Sequence, residues 1–393
     1  MNVAFLHPTL GIGGAERLVV DAALALQARG HRTTIFTAAH DPQRAFPPTA
    51  DGRLAVRVHG LLPGQLGQHL RAPLAIARMH WLAAVAARQR PRFDAIFCDL
   101  VAHVVPFARR LHRAPVVFYC HFPDRLLAPV RRAWYGVYRA PIDAWEARGT
   151  AAADRVLVNS AFTAGMFART FPHLAAPSVL HPGVDVDAYD ASRSPAASQT
   201  VVSISRLAPD KNLALAVDAY AALRPMLGAA RFAATRLVIA GGYDATLRGS
   251  RTTLAALQAR AAGHGLGAQV EWRRSPSDAE RTALLEGCRA VLYTPRHEHF
   301  GYGPIEAMAA GRPVIAVREG GPLETVVDGE TGWLCAPEPD AFAGALQRVF
   351  DDPDAAERLG RAGRARAARD FSLAAFGAGL AEVLESLHHP SRC

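Results

Sequence analysis

The residues best suited to chemistry lie between positions 298 and 311 of the chain. Glu298 and Glu306 are eight positions apart, and Gly301 and Gly303 lie between them. Glycine lets a backbone approach a ligand closely, and the free N–H groups at a helix start suit phosphate. This combination predicts a ligand-binding site. A purely structural role for Glu306, which would cap its helix or answer the helix dipole, is the alternative.

The sequence around these residues predicts the elements that position them. An apolar run at 290–293 indicates a buried strand, and a second apolar run at 314–317 indicates another. Pro304 is placed where a helix begins, and Gly311 where it ends. The predicted order is therefore strand, loop, short helix and strand. Loops at the carboxyl ends of strands in open α/β sheets are where ligands bind.

A metal site at His297-Glu298-His299 is a second interpretation of the same loop. However, the sequence offers no third ligand at helical spacing. Neighbouring side chains of an extended segment also point to opposite faces. We therefore expect no metal at this position.

Two basic residues mark a candidate phosphate site in the second half of the chain. Arg206 and Lys211 follow a predicted strand at 201–205 and precede a predicted helix, which is a good position for a diphosphate clamp. Lys211 is the only lysine among the 44 basic residues. A chain that uses arginine so consistently is expected to keep lysine where a compact ammonium is needed. Chance survival of this lysine is the alternative.

A glycine-rich loop near the N-terminus is a third candidate. It lies between a predicted strand and a predicted helix at about 15–29. Gly11 and Gly13 are spaced as in a dinucleotide-binding fingerprint, but Glu16 occupies the third glycine position. Gly13 and Gly14 still predict a phosphate cradle, with glycines that serve only a tight turn as the alternative.

Two further strand ends carry candidate residues. His121 follows a predicted strand at 114–120, at the end of the strand where a ligand is expected. An ordinary hydrogen-bonded histidine is the alternative there. A predicted strand at 236–240 ends in Gly241-Gly242-Tyr243-Asp244.

Length and composition bound the class of protein. With 393 residues, half of them hydrophobic and 20% charged, the chain is expected to form two globular domains with sizeable cores. The Pro-, Ser- and Ala-rich stretch 190–199 predicts a linker between a first domain, 1–189, and a second, 200–371, followed by a helix and tail at 372–393. The five cysteines show no paired spacing, and Cys98, Cys120 and Cys288 fall in or beside apolar runs, which is typical of buried thiols in a reducing compartment. We expect no secretory signal at the N-terminus.

The positive charge is concentrated in one segment. The formal net charge is +9, and residues 57–148 hold fourteen arginines against five acidic residues. The charge fits an anionic membrane surface or a pyrophosphate-bearing substrate, whereas no nucleic-acid motif accompanies it. Within the segment, the apolar run 74–87 is too short to span a bilayer and predicts a core helix, with an interfacial helix as the alternative. Its interleaved aromatic residues are Trp81, Phe107, Trp134, Tyr135, Tyr138 and Trp145.

The spacing of the candidate residues resembles that of a known family. Arg206-x4-Lys211, Glu298-x7-Glu306 and Gly-Gly-Ala-Glu at 13–16 are similar to the retaining GT-B glycosyltransferases. This resemblance implies an α/β fold of two Rossmann-like domains facing across a cleft, with a C-terminal helix that returns to the first domain. Nearly the whole chain resembles the eukaryotic dolichol-pathway α-1,3/1,6-mannosyltransferases. The segments that carry the resemblance are HPTLGIGGAERLVVDAALA at 7–25, FYCHFPD at 118–124, YRAPID at 138–143, GGYD at 241–244, LYTP at 292–295 and EHFG at 298–301.

The resemblance also implies a reaction and its setting. The enzyme would transfer two mannoses from GDP-mannose to mannosyl-GlcNAc2-diphosphodolichol, by α-1,3 and α-1,6 additions, in the assembly of the lipid-linked oligosaccharide for N-glycosylation. It would need no metal, and no nucleic acid would take part. Its further partners would be the membrane surface and other dolichol-pathway mannosyltransferases. Its location would be the cytosolic face of the endoplasmic reticulum membrane.

Carried onto matching positions, the resemblance assigns roles to single residues. Arg206 and Lys211 would hold the diphosphate and stabilise the charge on the leaving GDP. Glu298 would contact hydroxyls of the donor sugar, and Glu306 those of the ribose. His121 would orient the reacting sugar. The remaining donor-site positions are Gly13, Gly14, Tyr243, Phe300 and Gly301.

Two other functions remain open from the sequence. One is a GT-B hexosyltransferase that builds another glycolipid or a polysaccharide, which would accept substrates without chitobiosyl-diphosphate. The other is a catalytically silent binding protein of the same fold. The presence of Arg206, Lys211, Glu298 and Glu306 together argues against the silent protein.

Overall fold

The computed structural model describes residues 1–61, 71–127 and 133–388, with the backbone alone at 71 and at 133–135. The chain forms two compact units, of which unit 1 comprises Met1–Gly183 and Leu373–Cys393 and unit 2 comprises Val184–Ser372. Parts of the predicted basic segment lie outside the described residues. They are 62–70 and 128–132 with Arg131 and Arg132, the side chains of Trp134 and Tyr135, and, in the predicted tail, 389–393 with Cys393.

Unit 1 is organised around a parallel sheet of seven strands. The strands are short and almost wholly apolar, as expected where both faces of a parallel sheet are covered. The bounds are β1 Asn2–His7, β2 Arg32–Thr37, β3 Ala55–Val58, β4 Ala95–Asp99, β5 Val116–Cys120, β6 Arg155–Val158 and β7 Ser178–Val179. The order across the sheet is β3-β2-β1-β4-β5-β6-β7, so that β1, β4 and β5 lie side by side at its centre.

Helices cover both faces of this sheet. The alternation of side chains along β1 separates the two faces, because Val3 and Phe5 lie in one core cluster and Ala4 and Leu6 in another. The helices are α1 Gly14–Ala28, α2 Pro47–Ala50, α3 Arg71–Ala87, α4 Val105–His112, α5 Asp124–Leu127, α6 Ala133–Ala151 and α7 Ala161–Thr170.

The apolar run at 74–87 forms most of α3 and is a core helix. Ile76, Met79 and Leu82 are buried against the sheet, together with side chains of α4. Even Arg78 is buried, and burial lowers the pKa of its guanidinium. The interfacial alternative for this run is therefore wrong. Among the described residues, no helix is long and apolar enough to cross a bilayer.

Unit 2 repeats the architecture with a parallel sheet of six strands. Its strands are β8 Thr200–Ile204, β9 Arg236–Gly241, β10 Val270–Arg274, β11 Ala290–Tyr293, β12 Val314–Val317 and β13 Gly332–Cys335. Their order is β10-β9-β8-β11-β12-β13. The two apolar runs predicted as strands at 290–293 and 314–317 are β11 and β12, with the same bounds.

Helices again cover both faces. One core cluster joins Leu292 and Ile315 of the sheet to Tyr220 and Phe342, and the other joins Val291 and Val314 to helices on the opposite side. The helices are α8 Leu213–Leu227, α9 Ala229–Ala233, α10 Arg248–Gly263, α11 Asp278–Gly287, α12 Tyr302–Ala309, α13 Pro322–Thr325, α14 Pro339–Asp351 and α15 Pro353–Asp370.

The chain passes between the units at Gly183–Val184 and again at Ser372–Leu373. The stretch predicted as a linker, 190–199, packs within unit 2, because the buried Arg312 donates from Nη2 to the carbonyl of Arg193 at 2.7 Å. Asp190 also donates its backbone N–H to Glu286, at 2.7 Å. The two units therefore meet in the chain after residues 183 and 372. The first of these boundaries was predicted from the sequence at 189.

The last helix, α16 Leu373–His388, belongs to unit 1. It packs against α1 so closely that a Cβ on Gly377 would lie 2.8 Å from the Cβ of Ala25. Phe376 and Leu380 share a core cluster with Leu18. This is the return of the C-terminal helix to the first domain that the family resemblance implied.

Candidate active site

The loop between β11 and α12 in unit 2 carries the two predicted glutamates. Helix α12 begins at Tyr302, two residues before Pro304, and ends at Ala309. Proline fits the third position of this helix. The N–H groups of a first turn have no acceptor within the helix, so the N–H that proline lacks breaks no hydrogen bond. Glu298 lies in the loop and Glu306 in the helix, as the sequence predicted.

The ring of Tyr293, at the carboxyl end of β11, supports this loop. A Cβ on Gly301 would lie 2.8 Å from the Tyr293 hydroxyl, and one on Gly303 would lie 3.0 Å from its ring. Gly301 also has a φ of +84°, a conformation that favours glycine. From the other side, a Cβ on Gly321 would lie 2.0 Å from the carbonyl oxygen of Phe300. The glycines are thus required because the loop is packed between a tyrosine ring and a second backbone.

Lys211 and Glu298 form an ion pair at the carboxyl edge of this sheet. Lys211 Nζ lies 2.7 Å from Glu298 Oε2 and 3.4 Å from Asp210 Oδ2. The two side chains of the short pair are only 15% and 22% exposed. The single lysine is therefore held by a glutamate 87 residues further along the chain. Burial, together with Glu298, raises the pKa of Tyr293 well above its ordinary value, so the phenol stays neutral beside the pair.

Arg206 lies at the same strand end as Lys211 but is more exposed. Its side chain is 68% exposed, and its guanidinium Nη2 donates to Asp210 Oδ2 at 3.2 Å. Asp210 therefore touches both predicted clamp residues. Arg206 is free to reorient toward a ligand, whereas Lys211 is already held in place.

Gly241 and Tyr243 follow the neighbouring strand, β9. Gly241 has a φ of +150°, and a Cβ there would lie 1.7 Å from the carbonyl oxygen of Ser205. Tyr243 is half-buried, and its backbone N–H donates to the hydroxyl of Ser275 at 3.0 Å. The guanidinium of Arg274 lies over its ring, 5.5 Å from the centroid. Tyr243 thus lies near the strand end that carries Arg206, since β8 and β9 are neighbours.

Glu306 is buried and forms an ion pair with Arg281 of α11. Two features of this pair were not predicted. Arg281 is one arginine among many, so no sequence pattern singled it out. The burial of the Glu306 carboxylate in α12 was not predicted either. The guanidinium keeps Glu306 compatible with its buried position, because a buried charge requires a partner. The Phe300 side chain, predicted in the donor site, instead lies in the core against Tyr302 and Phe371.

The ends of the three central strands of unit 1 bring together His7, Asp99 and His121. Asp99 Oδ2 lies 2.8 Å from His7 Nδ1, and Asp99 Oδ1 lies 2.8 Å from His121 Nε2. Asp99 and His7 are fully buried, whereas the His121 side chain is 18% exposed. Of the three, only His121 was singled out from the sequence as a site residue.

The glycine-rich loop lies beside this cluster. Glu16 Oε1 is 4.0 Å from His7 Nε2, and a Cβ on Gly13 would lie 2.3 Å from Glu16 Oε2. Gly13 therefore leaves room for the glutamate carboxylate, which occupies the N-terminal end of α1. Gly14 is the first residue of that helix. A phosphate at Gly13 would have to displace the Glu16 side chain, so the predicted cradle is filled by an acidic side chain of the protein itself.

Glu146 of α6 anchors the segment that follows His121. Its carboxylate accepts the backbone N–H groups of Asp124 at 2.8 Å and Arg125 at 3.1 Å. Arg139 reaches the other side of the same turn through the carboxylate of Asp124. Burial raises the pKa of Glu146 to about 7. The sequence treated this region as a basic and aromatic segment and missed its role in holding the loop.

Metal and thiol chemistry can be assessed over the described parts of the chain. There, no group of three or more His, Cys, Asp or Glu side chains is arranged to hold a metal ion. Cys98, Cys120 and Cys288 are buried free thiols, as predicted, and Cys335 is a buried free thiol as well. Burial raises the pKa of Cys288 to about 12 and that of Cys335 to about 11, so both are inert at neutral pH.

Comparison with known proteins places this geometry in a family. Residues 12–188 match Glycosyltransferase Family 4, and residues 189–366 match Glycosyl transferases group 1. The chain is 42% identical over 390 residues to the Alpha-1,3/1,6-mannosyltransferase ALG2 of Homo sapiens, a match that covers 95% of this chain and 93% of the human protein. It is 34% identical over 388 residues to the protein of the same name from Saccharomyces cerevisiae, covering 88% and 76%.

Solved structures confirm the fold. Sucrose-phosphate synthase from Thermosynechococcus elongatus superposes with a TM-score of 0.79 at 20% identity, covering 99% of this chain and all of that one. Anabaena Alr3699/HepE in complex with UDP gives a TM-score of 0.78 at 22% identity, covering 98% and 100%. The predicted GT-B fold and the resemblance to mannosyltransferases are both confirmed. On this similarity along nearly its whole length, the chain belongs to the ALG2 family of α-1,3/1,6-mannosyltransferases.

Proposed function

We propose that this protein transfers mannose from GDP-mannose to mannosyl-GlcNAc2-diphosphodolichol, forming one α-1,3 and one α-1,6 bond. Full-length similarity to named α-1,3/1,6-mannosyltransferases supports the reaction. The observation that carries the chemistry is the 2.7 Å pair between Lys211 and Glu298 at the carboxyl edge of the unit 2 sheet. It fixes a cation where nucleotides bind in open α/β sheets.

The donor half of the proposal concerns unit 2. Lys211 and Arg206 would neutralise the diphosphate, and they would stabilise the negative charge that develops on GDP as the glycosidic bond breaks. Glu298 would accept hydrogen bonds from donor sugar hydroxyls with the carboxylate oxygen that Lys211 does not occupy. Glu306 would accept hydrogen bonds from the ribose. Tyr243 would provide an aromatic surface on the donor side. Gly301 would allow the loop that carries Glu298 to pack against Tyr293.

The acceptor half concerns unit 1. His121, whose Nε2 is bonded to Asp99, would present its other ring nitrogen to the reacting sugar. The arginines between 57 and 148 would attract the acceptor diphosphate and the anionic membrane surface. We place the enzyme on the cytosolic face of the endoplasmic reticulum membrane, beside other mannosyltransferases of the same lipid-linked pathway. Gly13 and Gly14 would contribute backbone N–H groups once Glu16 moves aside.

The proposed mechanism retains the anomeric configuration and needs no metal. The departing phosphate oxygen would take the proton of the acceptor hydroxyl, on the same face of the sugar from which it leaves. Arginine and lysine would supply the positive charge that a divalent cation supplies to diphosphates elsewhere.

Donor choice and metal independence can be tested in one experiment. Purified protein would be incubated with mannosyl-GlcNAc2-diphospho-lipid and either GDP-mannose or UDP-glucose, with EDTA or with Mn²⁺, and the lipid products measured by mass spectrometry. We expect product from GDP-mannose alone, at equal rates with EDTA and Mn²⁺. Preference for UDP-glucose would contradict the donor assignment, and loss of product in EDTA would contradict the arginine–lysine clamp.

A hexosyltransferase acting on another glycolipid is the second candidate, since the basic segment would suit any anionic lipid acceptor. It predicts turnover with a lipid diphosphate that carries no chitobiose. A silent binding protein would bind GDP-mannose without consuming it. Slow hydrolysis of the donor in the absence of acceptor would exclude the silent protein.

A further inference from the structure

The cluster of His7, Asp99 and His121 forms a buried hydrogen-bonded chain that ends at one partly exposed imidazole. We propose that Asp99 is a positioning residue for His121, held in place by His7 as a fixed counter-charge. This rests on the proposed function, in which His121 contacts the reacting sugar. His7 and Asp99 would act only through His121 and would not touch the substrate.

The sheet register puts the three residues together. Strands β1 and β4 pair from Val3 with Ala95 to Leu6 with Cys98, so the last residues of both strands, His7 and Asp99, come next to each other. Strand β5 pairs with the other side of β4, which brings His121 to the opposite flank of Asp99. Parallel strands end at the same edge of a sheet, so a polar group at each strand end meets its neighbours there.

Asp99 bonds both histidines with separate oxygens. Oδ1 accepts from His121 Nε2 and Oδ2 accepts from His7 Nδ1, each at 2.8 Å. Because both oxygens are engaged and the side chain is fully buried, the carboxylate cannot rotate without breaking two hydrogen bonds. The position of the His121 ring is thereby fixed from its buried side.

The charges of the cluster support each other. Burial opposes ionisation of Asp99, but its interactions with His121 and His7 lower the pKa of Asp99 to about 2. Burial likewise opposes a charge on His7, but its hydrogen bond to Asp99 and the nearby Glu16 raise its pKa to about 9. At neutral pH the buried pair is therefore imidazolium and carboxylate.

This charge state selects one form of His121. An ionised carboxylate can only accept hydrogen bonds, so the proton on the His121 ring that faces Asp99 must be on Nε2. Nδ1 is then the ring nitrogen left to meet a sugar hydroxyl. His7 Nε2 is buried and has no hydrogen-bond partner among the described residues. Glu16 Oε1 lies 4.0 Å away from it. The positive charge of His7 is therefore kept out of solvent.

A double-mutant cycle separates positioning from general structural support. We expect Asp99→Asn to lower kcat at least tenfold while the KM for GDP-mannose changes less than twofold, because the amide can turn an N–H toward His121. In a His121→Ala background, Asp99→Asn should lower kcat by no more than about twofold, because no ring is left to position. His7→Gln, which keeps a donor but removes the charge, should lower kcat about threefold or more, and only when His121 is present.

Matched controls lie on the same elements. Asp94 immediately precedes β4, at its opposite end, and accepts the backbone N–H of Asn2, so Asp94→Asn tests a structural carboxylate of the same sheet. His112, buried and bonded to the carbonyl of Ala83, is the control for His7→Gln. Both controls should keep kcat within twofold of the wild type. Equal losses from Asp99→Asn with and without His121 would overturn the proposal.

A spectroscopic measurement keeps the test decisive if a variant folds poorly. In wild-type protein labelled with ¹⁵N-histidine, the His121 ring, assigned through its loss in His121→Ala, should carry its hydrogen on Nε2. A ring protonated on Nδ1 alone would contradict the proposal without any variant of Asp99. If another nucleotide sugar is the donor, the wild type shows this directly, and the cycle is measured with that donor. Failure of the proposed function is thus distinguished from failure of the positioning role.

Discussion

Lys211 Nζ lies 2.7 Å from Glu298 Oε2, and this pair joins the only lysine of the chain to the first of its two spaced glutamates. The contact spans 87 residues and links the end of β8 to the loop after β11, two strands that are neighbours in the sheet. It holds a cation in place before any ligand arrives. Preorganised charge of this kind costs no rearrangement when the leaving group departs.

The first prediction concerns the shape of that cation. Lys211→Arg keeps the charge, but a planar guanidinium is too large for a site in which the ammonium is only 15% exposed between Glu298 and Asp210. We expect kcat to fall at least about tenfold, which corresponds to roughly 1.4 kcal/mol of activation free energy. The fall in kcat is measured by steady-state kinetics of mannose transfer.

Arg361→Lys is the matched control for this charge-conserving exchange, because Arg361 is 71% exposed and forms a surface ion pair with Glu357 one helical turn away. It should behave as wild type. Wild-type kcat in Lys211→Arg would contradict the clamp assigned to this lysine.

The second prediction separates binding from catalysis at Glu306. If this carboxylate contacts the ribose, the interaction is equally strong in the ground state and the transition state, so its loss raises KM and leaves kcat nearly unchanged. We expect Glu306→Gln to raise the KM for GDP-mannose at least fivefold, with kcat within threefold. It should also lower the thermal unfolding midpoint by a few degrees, because Arg281 loses its buried partner.

Glu330→Gln, at an exposed turn position, should change neither constant. A large fall in kcat with unchanged KM in Glu306→Gln would contradict the ribose assignment and favour a role for Glu306 in the transition state.

The third prediction tests why the loop at 298–301 needs glycine. Gly301→Ala and Gly329→Ala introduce the same side chain at residues with φ of +84° and +78°, so both carry a similar backbone cost of about 1–2 kcal/mol. Only Gly301 is crowded, by the Tyr293 hydroxyl at 2.8 Å, whereas nothing lies within 4 Å of a Cβ on Gly329.

Both alanine variants should therefore lose similar stability from strain in thermal unfolding, with a further loss in Gly301→Ala from the clash. Transfer activity should fall at least tenfold in Gly301→Ala alone, because the clash displaces Glu298 and its partner. Equal activity in the two variants would show that the position of this loop does not matter for the reaction.

The fourth prediction concerns alkaline pH. The pKa of His7 is about 9 in the folded protein and about 6.5 when unfolded, so the folded state binds the proton more tightly. The stability contributed by its charge is complete below about pH 6.5 and is lost as the pH rises through about 9. The groups that face His7 are Asp99 and Glu16, both with lowered pKa values, so neither titrates in this range.

Thermal unfolding of wild type and His7→Gln between pH 6 and 10 measures the effect. The stability advantage of the wild type should shrink as the pH rises, by about 3 kcal/mol at most. For His112, burial lowers the pKa below its ordinary value of 6.5, so the advantage of the wild type over His112→Gln should not shrink as the pH rises above that value. A constant difference for His7→Gln as well would contradict a charged His7.

Much of the fold follows from the sequence because buried parallel strands are continuous apolar runs. Strands β11 and β12 have the predicted bounds. The start of α12 was placed two residues too late, since Pro304 is tolerated anywhere in the first turn. The boundary near 189 was predicted from the Pro-, Ser- and Ala-rich composition of 190–199. That composition is typical of a linker, but it is equally compatible with a segment that packs on the surface of a domain, as 190–199 does on unit 2.

The candidate site was predicted unevenly for a different reason. Lys211, Glu298 and Glu306 could be predicted because their residue types and spacing are visible in the sequence. Asp99 and His7 could not, because they come together only through the order of β1, β4 and β5 in the sheet, and local sequence patterns do not reveal strand order. A signal existed nonetheless, since each of three buried apolar strands ends in or just before a charged or titratable residue. Arg281 offered no comparable signal in a chain with so many arginines.

The central claim is that one chain adds two mannoses to a lipid-linked chitobiosyl-diphosphate. The most direct measurement is the mass of mannosyl-GlcNAc2-diphospho-lipid after incubation with purified protein and GDP-mannose in EDTA. We predict a gain of two hexoses, with one α-1,3 and one α-1,6 bond released by linkage-specific mannosidases. A gain of only one hexose would contradict the claim, and so would no gain in a preparation that transfers or hydrolyses a nucleotide sugar.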